Sequence, residues 1–454
     1  MSGLRVSDYT TFVPVGDGGI VLAVNTCYGT VAELSEAMAR QLGTGDLSRL
    51  TVEMLKSLIE HSVLTARSTN EEQRAFSREL RRRGRLGRNS PPRVYLMPSY
   101  DCNLKCVYCF QHGIRRTTSS VTMSEAVASA ALDQVESVFH GEHRRSVTLY
   151  GGEPLSPDNR AVVEFLCDAA HKRGIRLMAS THAWNLDRFQ DLLGPRGIEA
   201  LHVTVDGPAE THDRLRVGPR GARTYDTIME HVRLAISRGA RIRMRVNVNE
   251  HVFDHLGELR NDLGARGLLG DPLFSAYLAP MFDTKDQLAA ALSHSLVGEA
   301  AVATRLGSSE ELATAFCGSP PIYDRIAAIV SGMPPLTGVG NCCYGTRTIV
   351  LDPRGDIYPC VFLAGETRFA MGSYVRDTPR RDPRGWVDEG TRRCGERACK
   401  FALYCGAGSP YDSFARCGST LKPSCDCREF EKTLTGYAAA AYRRRRAEDL
   451  RPGN

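Results

Sequence analysis

Between residues 93 and 280 the sequence alternates six times between short runs of strand character and longer stretches of helical periodicity. The strand-like runs are Val94–Met97, Val147–Tyr150, Ile175–Ala179, Leu201–Val205, Ile242–Val248 and Leu273–Leu278. Helical patterns fall between them at about 122–139, 158–172, 185–193, 224–238 and 252–263. Strict alternation of this kind makes successive strands parallel, because parallel neighbours need a crossover where antiparallel ones need only a tight turn. The expected fold class is α/β, an open or closed barrel with helices outside. In such barrels chemistry sits at the carboxyl ends of the strands.

The first of those strand ends delivers three cysteines. The run from Val94 stops at Pro98, and Cys102, Cys106 and Cys109 follow in a C-x3-C-x2-C loop with Tyr108 directly before the last. Three thiolates on one short loop can converge on a soft metal centre, either an iron–sulfur cluster or half of a zinc site. A four-iron cube held by three cysteines keeps one iron free for another ligand. The chain has 15 cysteines, and nine of them lie between 342 and 427, while Cys27, Cys167 and Cys317 are scattered. The N-terminus lacks a signal-peptide core and no apolar run approaches a membrane span, so a cytoplasmic protein without a membrane partner is expected. There, thiols serve metal rather than disulfides. At 454 residues the chain has room for two or three domains, and a net charge of +6 does not demand nucleic acid.

The second strand ends in Tyr150-Gly151-Gly152-Glu153-Pro154. Two glycines admit close backbone approach, and the carboxylate can accept from an ammonium group. The third ends in Ser180-Thr181-His182-Ala183-Trp184, and the fourth in Thr204-Val205-Asp206-Gly207-Pro208, followed by His212-Asp213 and Arg216. Arg216 offers a guanidinium suited to a carboxylate, or a surface ion pair. Together, the three-cysteine loop, the G-G-E-P turn one β/α unit later and the D-G-P…H-D-x-x-R element resemble the radical SAM superfamily. The resemblance implies a partial (β/α)6 barrel in which Cys102, Cys106 and Cys109 hold a [4Fe–4S] cluster. It implies that S-adenosylmethionine is bound by Tyr108, Gly151, Gly152, Glu153, Pro154, Ser180, Thr181, Thr204, Asp206 and Arg216, with Glu153 at the methionine ammonium. Thr204 stands where relatives carry serine and keeps the hydroxyl. His182 stands where relatives usually carry asparagine, as either a catalytic group or an ordinary hydrogen-bonded histidine, and no catalytic residue is assigned.

The cysteine-rich segment contains Cys342, Cys343, Cys360, Cys394, Cys399, Cys405, Cys417, Cys425 and Cys427. Thr348–Leu351 and the return through Tyr358 read as a hairpin around Asp352–Gly355. From Cys343, eleven residues lead to Gly355 and four more to Cys360, a spacing that resembles the opening of the SPASM domain. That resemblance implies one or two auxiliary [4Fe–4S] clusters with these cysteines as ligands, the outer one on Cys394, Cys399, Cys405 and one of Cys425 or Cys427. A zinc ribbon is the alternative. Two departures stand out. Ser409 replaces the fourth cysteine of the C-x2-C-x5-C-x3-C core, whose first gap is also two residues longer here. Val361 stands where the sulfatase-maturing members carry their aspartate base.

Residues 1–75 read as a hairpin–helix module: Phe12–Val15 and Ile20–Val24 flank Gly16-Asp17-Gly18-Gly19, and helical patterns follow at about 35–42 and 50–59. The outline resembles leader-peptide-recognition modules, with a plain N-terminal brace as the alternative. Residues 76–92 read as an arginine-rich linker, with 71–90 either a solvated helix running into it or a landing strip for an acidic peptide. The remaining expected divisions are the barrel at 93–282, a helical bridge at 283–339, the SPASM-like domain at 340–428 and a helix with basic tail at 429–454. The resemblance implies reductive cleavage of S-adenosylmethionine, hydrogen abstraction and crosslinking of side chains in a ribosomally made precursor peptide. Its expected partners are that peptide with its leader and a flavodoxin- or ferredoxin-like electron donor. Epimerisation of a peptide and dehydrogenation of a small alcohol or sugar are the alternatives.

Overall fold

Alternating apolar residues and a glycine-rich turn fold the first segment into a small antiparallel sheet. In the computed structural model, which describes residues 3–16, 18–88, 91–111, 121–139, 145–281, 296–316, 321–333, 347–379, 381, 392–406, 408–420 and 427–449, the chain opens with β1 (Arg5–Val6). There follow β2 (Thr10–Pro14), β3 (Ile20–Asn25) and β4 (Thr30–Ser35), an antiparallel sheet in the order β2–β3–β4, and β5 (Leu64–Thr65), which pairs with β1. Ser35 caps the helix Glu36–Gly43 by accepting from the Met38 N–H, and Thr51 caps Val52–Glu60 through Met54. Val21, Ala23, Leu34, Leu42, Leu55 and Leu58 close the core between sheet and helices.

Ser68 and Glu71 form a reciprocal cap: the Glu71 carboxylate accepts from the Ser68 N–H at 2.9 Å, and the Ser68 hydroxyl accepts from the Glu71 N–H at 3.4 Å. They open the helix Thr69–Arg88. The linker expected at 76–92 is thus helix as far as Arg88, in keeping with the helical reading of 71–90, and the correction concerns its solvation. Its arginines continue a helix whose Phe76, Leu80 and Arg83 are buried, so the apolar spacing outweighs the charged composition.

The second body is built on a nine-stranded sheet. Its members are β6 (Arg93–Ser99), β8 (Ser146–Gly151), β9 (Arg176–Thr181), β10 (Ile198–Thr204), β12 (Arg241–Val248), β13 (Phe274–Pro280), β14 (Thr348–Leu351), β15 (Asp356–Tyr358) and β16 (Gly372–Ser373). Two short strands, β7 (Lys105–Cys106) and β11 (Arg216–Val217), pair with each other. The order β13–β12–β10–β9–β8–β6 repeats the chain order with every neighbour parallel. Helices Glu125–Val138, Arg160–Lys172, Tyr225–Ser237 and Leu256–Ala265 make crossovers. This is the α/β arrangement expected from the alternation, as the partial barrel that the resemblance implies.

The hairpin read at 348–358 forms as β14 and β15. Its first strand does something periodicity does not state: it joins the barrel sheet, parallel to β6 along Thr348↔Arg93 to Leu351↔Leu96. The Tyr100 hydroxyl, just past β6, donates to the buried Asp352 carboxylate at 2.8 Å, just past β14.

The chain divides into two compact units. One comprises Met1–Ser90, Gly298–Gly345 and Trp386–Asn454, and the other Pro91–Val297 and Thr346–Gly385. The cysteine-rich segment 340–428 is thus shared between them. In the first unit the helix Cys427–Asp449 packs on Glu299–Gly307 and Pro321–Val330, burying Leu434, Tyr437 and Ala438. Among the described residues no helix is long and apolar enough to cross a membrane.

Candidate functional site

The cysteine loop leaves the carboxyl end of β6 and is held at both of its shoulders. Backbone pairing of Cys106 with Arg216 (β7 with β11), extended by the Val107 N–H to the Leu215 carbonyl at 3.0 Å, staples it to the H-D-x-x-R element. On the other side the Gly152 N–H donates to the Ser99 carbonyl at 3.2 Å and the Glu153 N–H to the Asp101 carbonyl at 2.8 Å. This approach requires glycine. A Cβ at Gly151, where φ is +131°, would stand 2.3 Å from the Ser99 oxygen, and one at Gly152 would stand 2.1 Å from the Asp101 oxygen. The paired glycines thus serve the contact between β8 and the cysteine loop.

Two side chains on the loop are also gripped. Tyr108 gives its hydroxyl hydrogen to the Asp206 carboxylate and accepts from Arg216 Nη1 at 2.7 Å and Asn247 Nδ2 at 3.1 Å. Asp206 is fully buried, 3.7 Å from Arg216, and accepts the Asn247 N–H at 3.1 Å. Burial pushes the Asp206 carboxyl up from its ordinary value, while Arg216 draws it down. His212 Nδ1 accepts the Asp206 N–H at 3.2 Å; burial, and then Arg216, hold this ring well below its usual pKa, so it is neutral. Asp206 and Arg216 of the D-G-P…H-D-x-x-R signature, with His212 behind Asp206, are therefore a clamp on Tyr108.

The second grip is His182. Its Nε2 lies 2.8 Å from Asn103 Oδ1 and 3.3 Å from Glu153 Oε2, both acceptors, so Nε2 carries the proton; Nδ1 accepts from the Trp184 N–H at 3.0 Å. Burial holds this ring well below its usual pKa. Asn103, between Cys102 and Cys106, completes the link by donating to Asn185 at 2.7 Å. Glu153 also accepts from the Thr181 hydroxyl at 2.6 Å, the Leu155 N–H at 2.9 Å and the His182 N–H at 2.8 Å. At 1% exposure, its carboxyl is pushed up to about 7 by burial. Its four contacts leave one weak place, the 3.3 Å contact to His182, where an ammonium could enter.

These elements surround a cavity of about 190 Å³ at the carboxyl ends of the strands. Cys102, Cys106, Cys109, Tyr108, Gly151, Gly152, Glu153, Ser180, Thr181, Thr204 and Arg216 all line it. Pro154 and Asp206 are buried but are not on its wall. Sequence reasoning missed His202, Arg245, Asn247 and Phe362, which also line it. The signal for two of these was present: Arg241, Arg243, Arg245 and Asn247 alternate with Ile242, Met244, Val246 and Val248, which marks a strand with one polar face. His202 contacts the Tyr277 hydroxyl at 2.6 Å, and burial pushes its pKa down to about 3.

The wall fits an iron–sulfur cluster beside an amino-acid-like ligand by its chemistry. It carries three soft sulfur donors, a buried carboxylate, the hydroxyls of Ser180, Thr181 and Thr204, and Arg216, whose buried Nε has no acceptor among the described residues. Among the described residues no three His, Cys, Asp or Glu side chains stand at a spacing closed around one metal ion.

Of the other cysteines, Cys360 is buried after β15 in the barrel unit, two residues before Phe362, whose ring lies 4.7 Å from that of Phe110. Cys394, Cys399 and Cys405 fall in the other unit on one short stretch; the Cys399 N–H donates to the Cys394 carbonyl at 3.1 Å, and Cys405 ends the helix Ala402–Cys405. Cys342, Cys343 and Cys425 lie outside the described residues, as do the side chains of Cys417 and Cys427.

Residues 96–262 match the family model described as "Radical SAM superfamily". An uncharacterized protein of Archaeoglobus fulgidus is 24% identical over 360 residues, covering 75% of this chain and 79% of its own length. The Fe-coproporphyrin III synthase of Methanosarcina barkeri is 26% identical over 182 residues, 38% of this chain and 43% of that protein. The fold is similar to native anSMEcpe solved with bound AdoMet, with a TM-score of 0.59, 17% identity and coverage of 76% of this chain and 97% of that one. It is likewise similar to anSMEcpe with both AdoMet and the Cp18Cys peptide bound, with a TM-score of 0.56 and 17% identity over 76% and 97% of the two chains.

Proposed function

From a chain whose residues 96–262 are a radical SAM domain, we propose a peptide-modifying enzyme that forms a side-chain crosslink (C–C, C–O or thioether) in a ribosomally made precursor. The observation that carries the chemistry is the single cavity whose wall holds Cys102, Cys106 and Cys109 beside Gly151, Gly152 and Glu153. When bound there, a [4Fe–4S] cluster and S-adenosylmethionine supply a 5′-deoxyadenosyl radical that abstracts a hydrogen atom from the substrate.

The protein's own residues orient and enclose. Tyr108 and Asn103 fix the cysteine loop at two points, so the three thiolates are presented by a braced segment. Glu153 receives the methionine ammonium and Arg216 Nε a carboxylate oxygen, while the Thr204 and Ser180 hydroxyls remain for the rest of the cofactor. His202, Arg245 and Phe362, also on the wall, are assigned to the substrate. Cys360, Cys394, Cys399 and Cys405, with Cys342, Cys343, Cys417, Cys425 and Cys427, supply ligands for one or two auxiliary clusters. A flavodoxin- or ferredoxin-like donor provides the electron.

Two features support a peptide as substrate. The N-terminal three-stranded sheet with its capped helices has the outline of a leader-binding module, and anSMEcpe, of similar fold, is known with AdoMet and a peptide bound together. Co-expression with any short peptide encoded beside the gene, read by mass spectrometry, tests the reading. Loss of the mass of two hydrogens is the expected result. An unmodified peptide alongside protein that cleaves S-adenosylmethionine overturns it, and deuterium uptake without other change indicates epimerisation.

A further inference from the structure

On the helix Thr69–Arg88 the buried stripe is Phe76, Leu80, Arg83 and Gly87, at helical spacing. A second stripe, Arg78, Arg81, Arg82 and Arg85, is spaced i, i+3, i+4, i+7 and is exposed throughout. Like charges at this spacing repel and weaken a helix. The local remedy is a single carboxylate: Glu79 takes Arg82 through two bonds of 2.7 Å, and also takes the buried Arg83 at 2.7 Å. Among the described residues Arg78, Arg81 and Arg85 have no carboxylate partner. These arginines, with Arg67, Ala75, Glu79 and the half-exposed Tyr28, line an open groove of about 400 Å³. Tyr28 is fixed there by its hydroxyl, which meets Arg67 Nη1 at 2.5 Å.

We propose that this groove docks an acidic segment of the peptide substrate, with carboxylates bound by Arg78, Arg81 and Arg85. The inference rests on the peptide reading of the site and adds the charge of the part that is held. Charge complementarity identifies the occupant, since three forked guanidinium groups with no carboxylate partner among the described residues match carboxylates. The dimensions give its pattern. Arg78 to Arg85 spans roughly 10 Å of helix axis, the reach of about three residues of extended chain, so acidic residues two apart fit the stripe. A nucleic acid is less well matched: single-strand grooves pair basic residues with aromatic stacking platforms, and here Tyr28 is the lone aromatic on the wall.

The test measures fluorescence anisotropy of a labelled oligo-glutamate peptide with the full chain, at low and at physiological salt. Combining Arg78→Glu, Arg81→Glu and Arg85→Glu should weaken binding roughly tenfold, from three exposed ion pairs of ordinary strength, and should flatten the salt dependence. The corresponding Arg→Gln triple variant should show a smaller loss of the same sign. Reversing Arg188, Arg196 and Arg220, which changes net charge equally, should leave binding intact. Equal binding by the triple variant, an equal loss in the control, or tighter binding of a labelled single-stranded oligonucleotide at the same residues overturns the proposal. Oligo-glutamate held at this stripe while the co-expressed peptide stays unmodified keeps the groove and removes the peptide-modification reading.

Discussion

His182 shows what one unexpected residue can do. With its proton on Nε2 it bridges Asn103 of the cysteine loop and Glu153 of the glycine turn, two groups that must both be placed for the cavity to hold a cofactor. His182→Ala should lower iron content and weaken affinity for S-adenosylmethionine by roughly tenfold, about the 1–3 kcal/mol cost of leaving a buried acceptor without its donor, and His182→Gln, which keeps a donor, should recover most of it. Visible absorbance per chain and titration calorimetry report both. Glu153 carries the pH dependence. Its folded pKa, raised from 4.5 to about 7, means the folded chain keeps a proton that the unfolded chain releases. The stability this contributes is therefore complete below 4.5 and is lost as pH rises through about 7. Binding an ammonium needs the carboxylate, so affinity for S-adenosylmethionine should rise up to tenfold per unit as pH climbs toward about 7, then level off. Glu153→Gln should abolish that slope, and a wild-type affinity that is flat with pH would remove Glu153 from the ammonium's place.

At the scale of elements, the site depends on strand ends that nearly touch. Gly152→Ala would drive a methyl into the Asp101 carbonyl, and should cost roughly 1–3 kcal/mol together with cluster occupancy. Gly257→Ala, on an open helical surface, should be neutral or gain up to about 1 kcal/mol. Thermal melts and iron assays of the pair separate these effects. The contact between β6 and β14 ends in the bond from Tyr100 to Asp352. Burial pushes the Asp352 carboxyl up to about 6, and the tyrosine hydroxyl opposes that rise. Tyr100→Phe should destabilise by about 1–3 kcal/mol, because a buried acceptor loses its donor. An unchanged melting temperature would show that the bond adds nothing to the join.

For the whole molecule, the first unit is assembled from three separated stretches of chain. The Tyr442 hydroxyl, on the last helix, reaches the Glu33 carboxylate of β4 at 3.2 Å, and Arg445 pairs with the same carboxylate. Removing residues 1–88 should therefore yield insoluble or non-cooperatively melting protein rather than a trimmed enzyme, as solubility and calorimetry would report; a soluble, sharply melting fragment would contradict it. Much of this was legible in sequence. Six β/α units, the three-cysteine loop, the G-G-E-P turn and the hairpin at 348–358 follow from periodicity and turn chemistry, which are local and so are written along the chain. The buried face of the helix at 69–88 was hidden by its arginines, because composition registers charge while packing selects the spacing of Phe76 and Leu80. What only the tertiary structure decided is how distant residues meet. Asp206 and Arg216 turn toward Tyr108, His182 reaches Asn103, and β14 joins β6 from more than two hundred residues away. Sequence alone determined the donors and the strand ends that carry them. It could not determine their partners, because pairing across a sheet is a property of register and burial in the folded chain.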